Sequence, residues 1–147
     1  MADVLPLVTL YLSERCNSRC VTCDYWRRGE KAMRRGWVLR WLPSRGRLRT
    51  RVALLSGGEP LLNPEWPEIA EVLKSRGLTL WLLTSGLSLA KHAARAAELF
   101  DSITVSLDGA RASTYAAIRG VDAFDKVCEG IRAVAAARGP SSVRVTL

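Results

Sequence analysis

Strand-like and helix-like segments alternate along almost the whole chain, and no other feature of the sequence constrains its fold as much. Apolar, β-rich runs at residues 5–12, 51–55, 78–83, 102–107 and 142–147 read as strands. Helical patterns fill the spaces between them. Residues 64–76 carry an apolar face of Trp66, Ile69, Ala70, Val72 and Leu73, and Gly77 stops the helix. Leu89–Leu99 is an Ala-rich helix, residues 113–118 a short one, and residues 124–137 a longer one ended by Gly139-Pro140. Crossovers this long join parallel strands, with right-handed connections. A parallel sheet buries both its faces, so the first strand is expected to be covered on each side. The first crossover, 27–50, resists this reading. Gly29, Gly36, Pro43 and Gly46 interrupt it, and only Trp37, Val38, Trp41 and Leu42 make a helical stripe.

At 147 residues the chain is one domain by length. Its apolar runs fall short of the ~20 residues of a membrane span. The run after Asp3 lacks the basic segment of a secretory signal, so a cytoplasmic location is expected. The net charge of +8 has a local origin. Between Arg27 and Arg51 ten Arg and Lys face Glu30 alone, giving +9, while the rest of the chain sums to −1. Basicity belongs to one segment and is not read as a nucleic-acid signature of the fold.

Chemistry concentrates in Cys16-Asn17-Ser18-Arg19-Cys20-Val21-Thr22-Cys23, which follows the first strand. Three thiolates this close in sequence can converge on one inorganic site. A structural zinc site wants four ligands, usually as two C-x2-C pairs, and no second pair exists. Cys128 stands over a hundred residues away in a helical pattern and reads as a buried structural thiol. Three thiolates on a four-iron cluster would leave one iron open to a substrate or cofactor.

The triplet resembles the signature of the radical S-adenosylmethionine (SAM) enzymes. Ser56-Gly57-Gly58-Glu59-Pro60 and Ser106-Leu107-Asp108-Gly109 also look like motifs of that family, in its order and at strand ends. The resemblance runs from about Leu7 to the last residue. It implies a [4Fe–4S] cluster on Cys16, Cys20 and Cys23, with SAM bound at the open iron. It implies a SAM site at Gly57, Gly58, Glu59 and Pro60, at Thr84 and Ser85 (where the family has Thr-Asn-Gly), and at Ser106 and Asp108. Glycines admit close backbone approach, and the Glu59 carboxylate or nearby carbonyls would accept from the SAM ammonium. Tyr25 or Trp26 would shield the cluster, because Thr22 stands where the family often has an aromatic residue. A reductant such as a ferredoxin or flavodoxin, and a peptide or small-molecule substrate, are the implied partners.

The implied fold is α/β, a partial (β/α)6 TIM-like barrel of parallel strands, with residues 1–147 forming an incomplete core domain of five strands. The chain is therefore expected to be part of a longer protein. The Arg27–Arg51 stretch reads as either a basic insertion or the product of a locally shifted reading frame. Arg119 is expected at the surface, and His92 is expected to face solvent without a catalytic role. Two other classes stand beside the enzyme: an iron–sulfur electron-transfer or sensor protein without SAM chemistry, and a basic RNA-binding module built on residues 27–51.

Overall fold

The computed structural model describes residues 4–138 and 143–146. Five parallel strands form one sheet in the order β1-β2-β3-β4-β5: β1 (Leu7–Ser13), β2 (Val52–Gly57), β3 (Thr79–Thr84), β4 (Ser102–Ser106) and β5 (Val143–Thr146). Helices α1 (Arg35–Arg47), α2 (Trp66–Ser75), α3 (Leu89–Leu99) and the pair α4 (Ala112–Arg119) and α5 (Phe124–Arg138) make the crossovers. Sequential parallel strands joined by connections of one hand place every helix on the same face. The result is an open section of a β/α barrel. The strands and helices α2 to α5 fall within a few residues of their sequence-based bounds, and α3 coincides with its own. The Gly139-Pro140 cap, Ser142 and Leu147 lie outside the described residues.

One-sided helices overturn the expectation that the first strand is buried on both faces. Leu10 and Leu12 point into the core, whereas Thr9 is exposed and Tyr11 is 57% exposed. The same alternation runs through the sheet: Ala53 and Leu55, Leu80 and Leu82, Ile103 and Val105 are buried under the helices. Trp81, on the opposite face, is 39% exposed. Leu54 pairs in register with Thr9 on one side and Trp81 on the other, so an uncovered row crosses the sheet.

The first crossover does contain a helix, of 13 residues, with Pro43 inside it. Distant residues hold it in place of local propensity. Its N-cap, Arg34, offers no side-chain cap, and Glu65 at the start of α2 accepts instead from Arg35 N–H at 2.9 Å. Asn63 Nδ2 donates to Met33 O and to Leu12 O, both at 2.8 Å, tying the approach to α1 onto β1. Val38 and Leu42 are buried and Trp41 packs against the core, but Trp37 of the same stripe is 53% exposed.

His92 is half-buried, edge-on to the Trp66 ring at 5.5 Å, a correction to its solvent-facing placement. Burial, helped by the neighbouring Lys91 charge, holds its pKa below the ordinary imidazole value. The unfolded chain therefore takes up a proton that the folded chain resists, and stability should fall as pH drops below about 6.5. Urea midpoints of the protein and of His92→Phe, compared between pH 7.5 and 5.5, measure this. An equal pH slope in the variant would remove His92 as the cause.

Candidate functional site

The carboxyl ends of β1 to β4 surround a cavity of about 150 Å3. Cys16, Cys20, Thr22, Cys23 and Tyr25 line it from the loop after β1, and Ser56, Gly57 and Gly58 from β2 and its turn. Leu83, Thr84 and Ser85 enter from β3, Ser106 from β4, and Arg119 from the end of α4. The three thiols are free. Burial raises the Cys16 and Cys20 thiols above their ordinary pKa, and the Arg119 guanidinium offsets only part of that rise.

Each loop is fixed by backbone contacts that explain its residue types. The last carbonyls of α4, which no helix can satisfy internally, accept from the cysteine loop: Arg19 N–H reaches Arg119 O at 2.9 Å and Val21 N–H reaches Ile118 O at 3.0 Å. Gly120 closes α4 with a left-handed φ of +67°, and a Cβ there would fall on the Arg19 carbonyl. At the β2 end, Gly58 N–H donates to Ser13 O and Glu59 N–H to Arg15 O, both at 2.8 Å. The β2 turn and the start of the cysteine loop thus lie backbone against backbone.

The Glu59 side chain does not line the cavity. It is fully buried, and its carboxylate accepts from Thr84 Oγ1 (2.7 Å), Leu61 N–H (3.2 Å), Ser85 N–H (2.7 Å) and Ser85 Oγ (2.6 Å). Four donors fill the roughly four acceptor positions of a carboxylate, so a cofactor amino group would have to use backbone carbonyls. Pro60 is buried at the start of a short 3-10 turn and does not line the cavity. Thr84 and Ser85 line the cavity, but their hydroxyls donate to Glu59; neither caps α3, whose N-cap is Ser88.

Asp108 adopts a left-handed φ of +54° and accepts from Arg119 Nη1 at 2.8 Å; it lies behind the cavity lining. Nor does it cap α4, which begins at an uncapped Arg111. Arg119, expected at the surface, is 12% exposed and faces the thiols. Its position in the last turn of a helix before a terminating glycine was the available signal. Tyr25 lines the cavity beside the cysteines, whereas Trp26 packs on the outer side of their loop, its Nε1 donating to Cys23 O at 3.0 Å. Cys128 lies on α5, partly exposed and away from the cavity, not buried as expected. The basic segment forms a separate cavity of about 370 Å3, lined by Arg45, Gly46, Arg49, Thr50 and Arg51 at the amino end of β2. No described helix is long and apolar enough to cross a membrane.

A family model described as the radical SAM superfamily matches residues 10–147. The chain belongs to that superfamily. Among curated relatives, a probable GTP 3′,8-cyclase of Thermococcus kodakarensis is 30% identical over 92% of this chain and 46% of its own length. Pre-heme d1 synthase of Dinoroseobacter shibae is 33% identical over 86% of this chain and 33% of its own. The chain thus spans less than half the length of these relatives. Among solved structures, Streptococcus suis SuiB bound to S-adenosylmethionine superposes with a TM-score of 0.78 at 17% identity, over 98% of this chain and 34% of SuiB. Methylornithine synthase gives a TM-score of 0.67 at 18% identity, over 98% and 44%. These likenesses establish the radical SAM fold.

The superfamily's cluster and SAM fit the residues present. Among the described residues no three His, Cys, Asp or Glu side chains are grouped to share a single metal ion. Cys16, Cys20 and Cys23 border one cavity together. Among the described residues Ser18 Oγ, Tyr115 Oη and Arg119 Nε are buried without a hydrogen-bond partner; only Arg119 lines the cavity, where its unsatisfied donor suits an acceptor from a bound group.

Proposed function

We propose that this chain holds a [4Fe–4S] cluster through Cys16, Cys20 and Cys23 and binds SAM against it. One observation carries the reading: a single cavity brings three free thiols together with the Gly57-Gly58 turn, Ser106 and Arg119, from four successive strand ends. Held by Cys16, Cys20 and Cys23, a cluster would keep one iron free for SAM and would supply the one-electron chemistry of reductive SAM cleavage for hydrogen abstraction from a substrate. The protein's share is to bind and orient. Gly57 and Gly58 leave their carbonyls approachable for the SAM ammonium. Arg119 and the Ser106 hydroxyl offer charge-assisted and neutral donors to its carboxylate. Thr84 and Ser85 present hydroxyls to the cavity but are held by Glu59, which gives them a fixed rather than adaptable place. Asp108 acts through Arg119.

A reductant of the ferredoxin or flavodoxin class, a peptide or small-molecule substrate and a cytoplasmic location complete the proposal. Anaerobic reconstitution should load about four irons per chain. Alanine at Cys16, Cys20 or Cys23 should abolish that content, and Cys128→Ala should leave it unchanged. SAM should then alter the EPR spectrum of the reduced protein. Iron uptake with a spectrum indifferent to saturating SAM would favour an electron-transfer or sensor protein instead. Loss of iron in Cys128→Ala would overturn the three-thiol assignment.

A further inference from the structure

Every partner of the buried Glu59 carboxylate is neutral, and the carboxylate spans loops that are far apart in sequence. We propose that Glu59 is a positioning residue whose backbone and side chain together grip both neighbours of Cys16, fixing that thiol against the β2 turn. The proposal rests on the reading of Cys16 as a cluster ligand, but concerns what holds it.

On one side, Glu59 N–H donates to the carbonyl of Arg15 at 2.8 Å. On the other, the grip runs through Ser85. Its Oγ lies 2.6 Å from Glu59 Oε2 and 3.0 Å from Asn17 Oδ1. A hydroxyl has one proton, and the carboxylate is both the nearer and the charged acceptor. Ser85 Oγ is therefore left as an acceptor, which an amide oxygen cannot serve, so the Asn17 amide is assigned with its nitrogen toward Ser85 and its oxygen toward Ser88, giving a directional chain from Asn17 through Ser85 to Glu59. Asn17 also lies 3.4 Å from Ser88 Oγ, which orients its amide from the far side. Residues 15 and 17 are thus both tied to residue 59, and residue 16 between them has little freedom left. Burial strengthens the Ser85–Glu59 link, since a carboxylate fully removed from water loses heavily when a donor is withdrawn.

The test uses the full chain without cofactor. Alkylation of Cys16 by iodoacetamide is followed by mass spectrometry, with Cys128 as the internal reference. Ser85→Ala and Asn17→Ala should each raise the Cys16 rate about tenfold, as expected for loss of one hydrogen bond, and leave the Cys128 rate alone. The double variant should be no faster than either single one, because both cut the same chain. Ser85→Thr, which keeps a hydroxyl, should restore slow alkylation. Glu59→Gln should also free Cys16; should it fail to fold, the two milder variants carry the test. An unchanged Cys16 rate in Ser85→Ala, or equal acceleration of Cys16 and Cys128, would overturn the proposal. If Cys16 is released as expected but the parent chain takes up no iron, the grip stands and the cluster assignment falls.

Discussion

Gly58→Ala is expected to cost roughly 3 kcal/mol of folding free energy and to abolish iron uptake. A Cβ at Gly58 would sit on the carbonyl of Arg15 and 2.9 Å from that of Glu14. Both are backbone atoms at the start of the cysteine loop, and no rotamer change relieves the clash. The loop would have to leave the β2 turn, breaking the bonds from Gly58 to Ser13 and from Glu59 to Arg15. For a chain of this size the thermal midpoint should fall by about 10 °C. Gly36 supplies the control. It lies within α1, and an added Cβ there meets nothing within 4 Å. Gly36→Ala should therefore stabilise the protein by roughly 0.5–1 kcal/mol, since glycine is a poor helix former. Differential scanning calorimetry reads both effects; a Gly58→Ala protein that melts like the parent would refute the packing argument.

Such contrasts mark the limit of what the sequence displays. The parallel architecture was legible because period and turn residues are local: the stripe Trp66, Ile69, Ala70, Leu73 and the stop at Gly77 need no partner to be recognised. The cysteines and the Gly57-Gly58 turn were legible because their spacing is itself the signal. Helix α1 was legible only as the short stripe from Trp37 to Leu42, because its stabilisers are remote. Glu65 and Asn63 act on it across about thirty residues, while its own glycines and Pro43 argue against it. The partners of the Glu59 carboxylate were hidden for a related reason. A glutamate in a turn looks free until donors 25 and 26 residues further on arrive to fill it. The uncovered sheet face was hidden as well, because Leu54 and Leu55 are equally apolar and only the one-sided helices separate them.

The proposed function gives Arg119 a binding role beside its structural one, and the two can be separated. Its guanidinium is 12% exposed, bonded at 2.8 Å to an Asp108 that is itself 31% exposed. Arg119→Met keeps much of the apolar stem but leaves the carboxylate partly buried and unpaired. Breaking a fully buried pair costs 3–5 kcal/mol; with Asp108 still in reach of water, about 2 kcal/mol is expected here. The same change removes the cation that faces the thiols, and SAM affinity of the reconstituted protein should fall about thirty-fold. Adding Asp108→Asn neutralises the stranded carboxylate, and asparagine tolerates the left-handed backbone at that position. The double variant should therefore regain most of the lost stability in urea titrations of the cofactor-free chain. It should not regain SAM affinity, measured by equilibrium dialysis after reconstitution, because the missing charge is the one that meets the ligand. Recovery of both would assign Arg119 to the scaffold alone, and SAM binding by Arg119→Met at the parental level would exclude it from the cofactor site.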